Sequence, residues 1–225
     1  MIPISDDLRP RRFPIVNYFL IAANVVVFLY ELSLGSQLDA FTTQYALIPA
    51  QVTAGIDLGD FRNIFIGMFL HAGWLHLLGN MLYLWIFGDN VEDRFGHFGY
   101  LIFYLFGGVI AAFAHTLLNP TSIVPTVGAS GAIAAVLGAY LILFPRSRVY
   151  TFIPLGFFTR LTPLPAVLVL GVWFVLQLFN GVVSVGTGDM GGTAFWAHIG
   201  GFVFGMLMGL LMKRNEPTPA PYYWS

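Results

Sequence analysis

Residues 193–212 read TAFWAHIGGFVFGMLMGLLM, a run with no acid, lysine or arginine and one ionisable side chain, His198. A run of this length suits a helix crossing a hydrocarbon core about 30 Å thick, which takes roughly 20 residues. His198, Gly201, Gly205 and Gly209 recur at helical spacing along it. A glycine face lets a neighbouring backbone come close, and such contact is a main source of helix association in lipid. The stretch therefore predicts a membrane helix packed tightly on another, with an imidazole near one end of the contact.

Five further stretches share this character, at roughly 14–33, 64–88, 98–118, 127–144 and 164–184. Together they predict an all-α membrane protein, a six-helix bundle forming one integral membrane domain over residues 1–225. Composition agrees, with 57% of residues hydrophobic and 9% charged, against about 25% charged in a soluble domain. So few charges cannot cover that apolar surface in water, so lipid must solvate much of the chain. The short alternating segments of a membrane barrel are not visible. Arg9, Arg11 and Arg12 precede the first run in the manner of a signal peptide. That run is too long and lacks a small-residue cleavage site, so it is expected to be a retained span. Residues 34–63 are too polar to cross, and Phe41, Tyr45, Leu47, Ile48 and Pro49 suggest a first loop lying in the interface.

The net charge is −1 with no basic stripe, which argues against a nucleic-acid partner. The chain has no cysteine, so disulfides, thiolate catalysis and Cys-ligated metals are excluded. Six spans put both termini on one side, with the loops after the second and fourth. That side collects Arg9, Arg11, Arg12, Arg94, Arg146, Arg148, Arg160, Lys213 and Arg214, and leaves only Arg62 on the other. The positive-inside rule then places both termini in the cytoplasm.

In this orientation spans two, four and six all run inward, and each carries polar residues in its first half. Span two has His71, His76 and Asn80, span four opens with Gly128-Ala129-Ser130-Gly131, and span six has His198. Polar groups inside a membrane are costly unless they meet one another or a wet cavity, so their common depth predicts one site. Span four also offers a small face in Ser130, Ala134 and Gly138. If it meets the glycine face of span six, Ser130 and His198 come together as nucleophile and base. His76 and Asn80 share a face one turn apart and can donate to an oxyanion, alongside the Ser130 amide at a helix N-terminus. No acid lies in the first half of these helices, so the expected site is a dyad.

These residues, in this order and spacing, resemble the rhomboid intramembrane serine proteases over essentially the whole chain. The family's GxSG corresponds to Gly128-Ala129-Ser130-Gly131, its AHxxG to the stretch around His198, and its HxxxN to His76 and Asn80, with His71 upstream. Gly88, Glu92 and Gly96 match the inner end of span two, and Tyr45-Ala46-Leu47-Ile48-Pro49 matches a first-loop sequence of prokaryotic members. The chain departs from the family's Trp-Arg pair with Phe61-Arg62. It also places Ala134 where some members stack an aromatic ring on the histidine, which leaves that task to Trp196 or another aromatic. The resemblance implies a peptidase with Ser130 and His198 as catalytic residues. His76, Asn80, Ser130 and Gly128 are expected as oxyanion or auxiliary groups, and His71, His115 and Trp196 along a cavity open to the outside. The resemblance implies no cofactor, and no metal is expected. Substrates would be single-pass transmembrane proteins, cut near the outer end of the span, with small P1 residues and helix-weakening Gly or Pro nearby. The membrane would be a prokaryotic plasma membrane.

Other chemistries fit less well. The zinc motif HExxH is absent, and GxSxG fails because Ala132 fills the last position. Gly186-Thr187-Gly188-Asp189 matches GxGD formally, but no second Asp lies within a span, so it reads as a turn. A transporter would show internal repeats or paired broken helices, and neither is seen. The remaining alternative is a catalytically idle relative that binds membrane helices. Asn17, Asn24 and Glu31 recur every seven residues on the first span and predict a face buried in the bundle. Glu92 reads as a structural anchor at the inner end.

Overall fold

The structure, a computed structural model, describes residues 1–155, 158–187 and 193–213. In chain order these form β1 (Ile2–Asp6), α1 (Ile15–Ser33), a 3-10 turn (Gly35–Gln37) and three short helices, α2 (Leu38–Tyr45), α3 (Pro49–Ala54) and α4 (Leu58–Gly67). Then come α5 (Trp74–Phe95), α6 (His97–Leu118), α7 (Ser130–Leu143), β2 (Arg148–Leu155), β3 (Phe158–Pro165), α8 (Ala166–Thr187) and α9 (Phe195–Met212).

The chain is mostly helical, as expected, and among the described residues four helices are long and apolar enough to cross a bilayer: Ile15–Ser33, His97–Leu118, Ala166–Ser184 and Phe195–Met212. The other two long apolar segments differ from the expected spans. The stretch expected at 64–88 is broken: α4 ends at Gly67, and α5 starts at Trp74 and runs on to Phe95 through Asp89, Glu92, Asp93 and Arg94. The break turns on Gly73, whose φ of 149° suits glycine, and on the His71 amide, which donates to the Glu31 carboxylate at 3.1 Å. The acids at the end of α5 stay helical because they are used there. Glu92 accepts from the amides of Val16 and Asn17, at 3.0 and 2.7 Å, and caps α1.

α7 has only 14 residues, about 21 Å at 1.5 Å per residue. It need not match a bilayer, because residues 131–140 are all buried within the protein. Small faces make this possible. An added Cβ at Gly201 would overlap the Gly131 carbonyl, one at Gly205 the Ala135 carbonyl, and one at Gly138 the Phe202 carbonyl. The predicted meeting of the two small faces is therefore observed.

The all-α expectation needs one correction: β1, β2 and β3 form an antiparallel sheet in that order. Arg148 to Leu155 pairs with Phe158 to Pro165 as a hairpin, and the N-terminal strand adds to its free edge. Val149 and Thr151 are fully buried while Arg148 and Phe152 are exposed, so the strand's alternation follows its two faces. Asp6 ties the sheet to the bundle, accepting from the Asn90 amide at 3.2 Å and from the Tyr140 hydroxyl.

The first loop packs in part against the protein itself. Leu47, Ile48 and Pro49 are buried within the protein. Leu47 exchanges two backbone hydrogen bonds with Thr126, at 3.2 and 2.8 Å, so the loop braces the segment leading into α7. Phe41 and Tyr45 stay partly exposed and pack on each other, with Arg62 over the Tyr45 ring. On α1, Asn17, Asn24 and Glu31 are buried as the seven-residue repeat predicts. Asn17 donates to the Leu84 carbonyl and accepts from Tyr100 across Gly88, where a Cβ would displace both partners.

Candidate active site

Ser130 is the first residue of α7, where helix geometry leaves its amide without a partner inside the helix. His198 lies one turn into α9. Contact between the two helices brings Nε2 of His198 to 2.8 Å from Oγ of Ser130. Both residues line a cavity of about 700 Å³, together with His76, Asn80, His115 and Trp196. Six residues singled out in the sequence thus share one hollow.

The remaining candidates divide. Gly128 has φ of 124°, and a Cβ there would lie 2.7 Å from the His76 ring, so only glycine lets that imidazole approach. Its amide is not free for an oxyanion, since it donates to the Gly67 carbonyl at 2.8 Å. His71 is not among the cavity-lining residues. It sits behind Asn80, with Nδ1 3.1 Å from the Phe69 carbonyl oxygen and Nε2 3.0 Å from the Asn80 amide nitrogen. Nδ1–H therefore donates to the carbonyl, and Nε2 accepts from Asn80. His76 accepts at Nδ1 from the Ala72 amide at 3.3 Å, which leaves its proton on Nε2, the edge nearest Gly128. His115 contacts Asn119 at 3.3 Å. His97 pairs with Glu92 at the far end of α5.

Two residues were not anticipated. Oε1 of Gln177 lies 2.8 Å from Nδ1 of His198. The Trp173 ring, one turn earlier on α8, has its centroid 5.8 Å from that of the imidazole. The aromatic neighbour expected to compensate for Ala134 is thus Trp173 rather than Trp196. The signal for Gln177 was present: an amide in the middle of an apolar span needs a partner. Gly188 and Asp189 of the formal GxGD match lie outside the described residues. Among the described residues no group of three His, Cys, Asp or Glu side chains is placed to hold a metal.

Apolar helices surrounding a paired serine and histidine, beside a cavity into which further polar side chains project, define an integral membrane protein with the parts of a hydrolase. A family model described as the Rhomboid domain matches residues 58–215, and the chain belongs to the rhomboid family, whose proteases are serine proteases. It is 29% identical to Rhomboid protease GluP of Bacillus subtilis (strain 168) over 198 residues, covering 88% of this chain and 35% of that one. It is 28% identical to Rhomboid protein 1, mitochondrial, of Saccharomyces cerevisiae, covering 88% of this chain and 53% of the relative. It is 27% identical to Rhomboid protease AarA of Providencia stuartii, covering 85% and 70%. The chain thus spans about a third of the length of GluP and about half that of the yeast protein.

Proposed function

We propose that this chain is an active intramembrane serine endopeptidase that cuts transmembrane segments of single-pass membrane proteins. The observation that carries the reading is the 2.8 Å approach of His198 Nε2 to Ser130 Oγ at the wall of the cavity. In the proposed reaction Ser130 Oγ attacks the scissile carbonyl while Nε2 takes its proton, then returns it to the leaving amine. The Ser130 amide, His76 Nε2–H and the Asn80 amide donate to the oxyanion, helped by the positive end of α7. Water then repeats the sequence on the acyl-enzyme. A spanning helix hides its carbonyls in i to i−4 bonds, so substrates with small P1 residues and nearby Gly or Pro unwind and react most readily.

The same proposal treats residues 1–225 as one membrane domain crossed by six spans, α5 and α7 joining the four longer helices, with both termini cytoplasmic. The sheet supports a common end, since the Asp7 amide bonds to the Arg148 carbonyl and the Arg12 amide to Asp93. This gathers three of the basic segments together. A prokaryotic plasma membrane is the proposed location, supported by the bacterial relatives GluP and AarA.

The test needs no substrate. Purified protein is treated with a fluorescent fluorophosphonate beside Ser130→Ala and His198→Ala. Labelling that vanishes in the first variant and falls sharply in the second is expected. A folded wild type unlabelled in both detergent and bilayers would overturn the proposal in favour of an idle, helix-binding relative. Labelling that survives Ser130→Ala would mean a different nucleophile.

A further inference from the structure

Ala134 stands four residues after Ser130 and brings no ring to the imidazole. His198 is held from α8 instead, between the Gln177 oxygen at 2.8 Å from Nδ1 and the Trp173 ring on its flank. Its other nitrogen is the one beside Ser130. The two contacts to the ring thus lie in line, an amide on one edge and a hydroxyl on the other.

We infer that Gln177 is a positioning residue: its side-chain carbonyl accepts the Nδ1 proton of His198 and fixes the tautomer whose Nε2 lone pair faces Ser130. The inference rests on the serine–histidine reading of the site. A neutral imidazole carries its proton on one nitrogen or the other. Only the Nδ1–H form leaves Nε2 able to take the proton from Oγ. The opposite form donates to Oγ and cannot act as base, and this is how loss of an orienting acceptor disables a serine triad.

His198 and Gln177 are both half-buried. Shielded from bulk water, an Nδ1–H with no acceptor is costly, so the ring would turn or move its proton to Nε2. Gln177 faces the same cost on its own side, as an amide within an apolar span. One hydrogen bond satisfies both groups. As Oγ attacks, its proton passes to Nε2 and the Nδ1 proton stays on the ring, still donated to Gln177. When the amine leaves, the Nε2 proton goes with it and the neutral tautomer is restored. Among the described residues, the orienting role that a carboxylate plays in a serine triad is thus taken by a neutral carbonyl supplied by α8.

The test compares Gln177→Met, which keeps length but loses the acceptor, with Gln177→Glu, which keeps an acceptor oxygen. Two readouts are used: fluorophosphonate labelling with cleavage of a model transmembrane peptide, and the ¹⁵N spectrum of histidine-labelled protein. The His198 signals are assigned by their loss in His198→Ala. Gln177→Met is expected to lower kcat and the labelling rate about tenfold or more, with KM within about twofold, while Gln177→Glu restores activity to within about threefold. The spectrum is expected to show His198 protonated on Nδ1 in the wild type and on Nε2, or mixed, in Gln177→Met. Wild-type labelling rates in Gln177→Met, equal loss in both variants, or a wild-type His198 protonated on Nε2 would each overturn the inference. An unlabelled wild type would sink the protease reading instead, and the spectrum would still decide the hydrogen bond.

Discussion

Ser130 and His198 are separated by 68 positions in the chain, yet Oγ of one and Nε2 of the other stand 2.8 Å apart. The pairing depends on glycine. α7 and α9 touch backbone to backbone through Gly131, Gly138, Gly201 and Gly205, and any side chain there would hold the helices apart. Hydrogen-bond reach between a hydroxyl and an imidazole leaves no room for an extra methyl group in that interface.

Gly205→Val should therefore disrupt both stability and the site. Its Cβ meets the Ala135 carbonyl, a backbone atom that cannot swing away, and overpacking of this kind costs about 1–3 kcal/mol or more. Thermal unfolding in detergent should show a lower midpoint, with weaker fluorophosphonate labelling at temperatures where the variant is still folded. Gly171→Ala on α8 is the control, since an added Cβ there meets nothing within 4 Å and should leave the midpoint unchanged.

Removing the proposed oxyanion donors should affect turnover rather than binding. Asn80→Ala and His76→Ala are each expected to lower kcat about 10²-fold with little change in KM, since the donors act on charge that develops in the transition state. Steady-state kinetics on a model transmembrane peptide would check this. A rise in KM at constant kcat would instead assign these residues to substrate binding.

Stability should fall as pH rises from acid to mildly basic, and Asp6 is one group that contributes to this. Burial pushes its carboxyl from 3.8 up to about 8, opposed by the Tyr140 hydrogen bond and reinforced by Asp89 and Asp7. The folded chain keeps this proton up to about pH 8, whereas the unfolded chain releases it near 3.8. The stabilisation is thus complete below the unfolded value and is lost as pH climbs through the folded one. Melting midpoints measured between about pH 5 and 9 should decline in the wild type, and Asp6→Asn should flatten that slope.

Topology can be mapped directly, because the chain contains no cysteine to remove. Single substitutions Arg11→Cys and Arg160→Cys should react with a membrane-impermeant maleimide only after cells are broken. Gln51→Cys should react in intact cells. Reaction of Gln51→Cys and Arg11→Cys from the same side would refute the six-span arrangement.

Most of the site was legible because its chemistry is local. GASG at 128–131, the histidine at 198 and the His76/Asn80 spacing each sit within a few residues, and apolar runs reveal helices without knowledge of their neighbours. The glycine and alanine faces even indicated which helices meet. The break between α4 and α5 was harder to see, because residues 64–88 read as one apolar run; the turn at Gly73 is braced by the Glu31 carboxylate, which lies forty residues from His71. The hairpin was hidden differently. Its alternation at Val149, Thr151 and Ile153 was present, but the strand is stabilised by an N-terminal segment nearly 150 residues distant.

By itself, the sequence determined that this is a helical membrane protein carrying a serine and a histidine at matching depth, because hydropathy and helical period are properties of neighbouring residues. Only the tertiary structure decided which nitrogen of His198 faces Ser130, that Gln177 and Trp173 contact the ring, that the Gly128 amide is spent on Gly67, and that Asp6 at the end of β1 meets Tyr140 and Asn90. Each depends on side chains from distant segments coming within about 3 Å to 6 Å of one another, distances set by the packing of whole helices rather than by any local pattern.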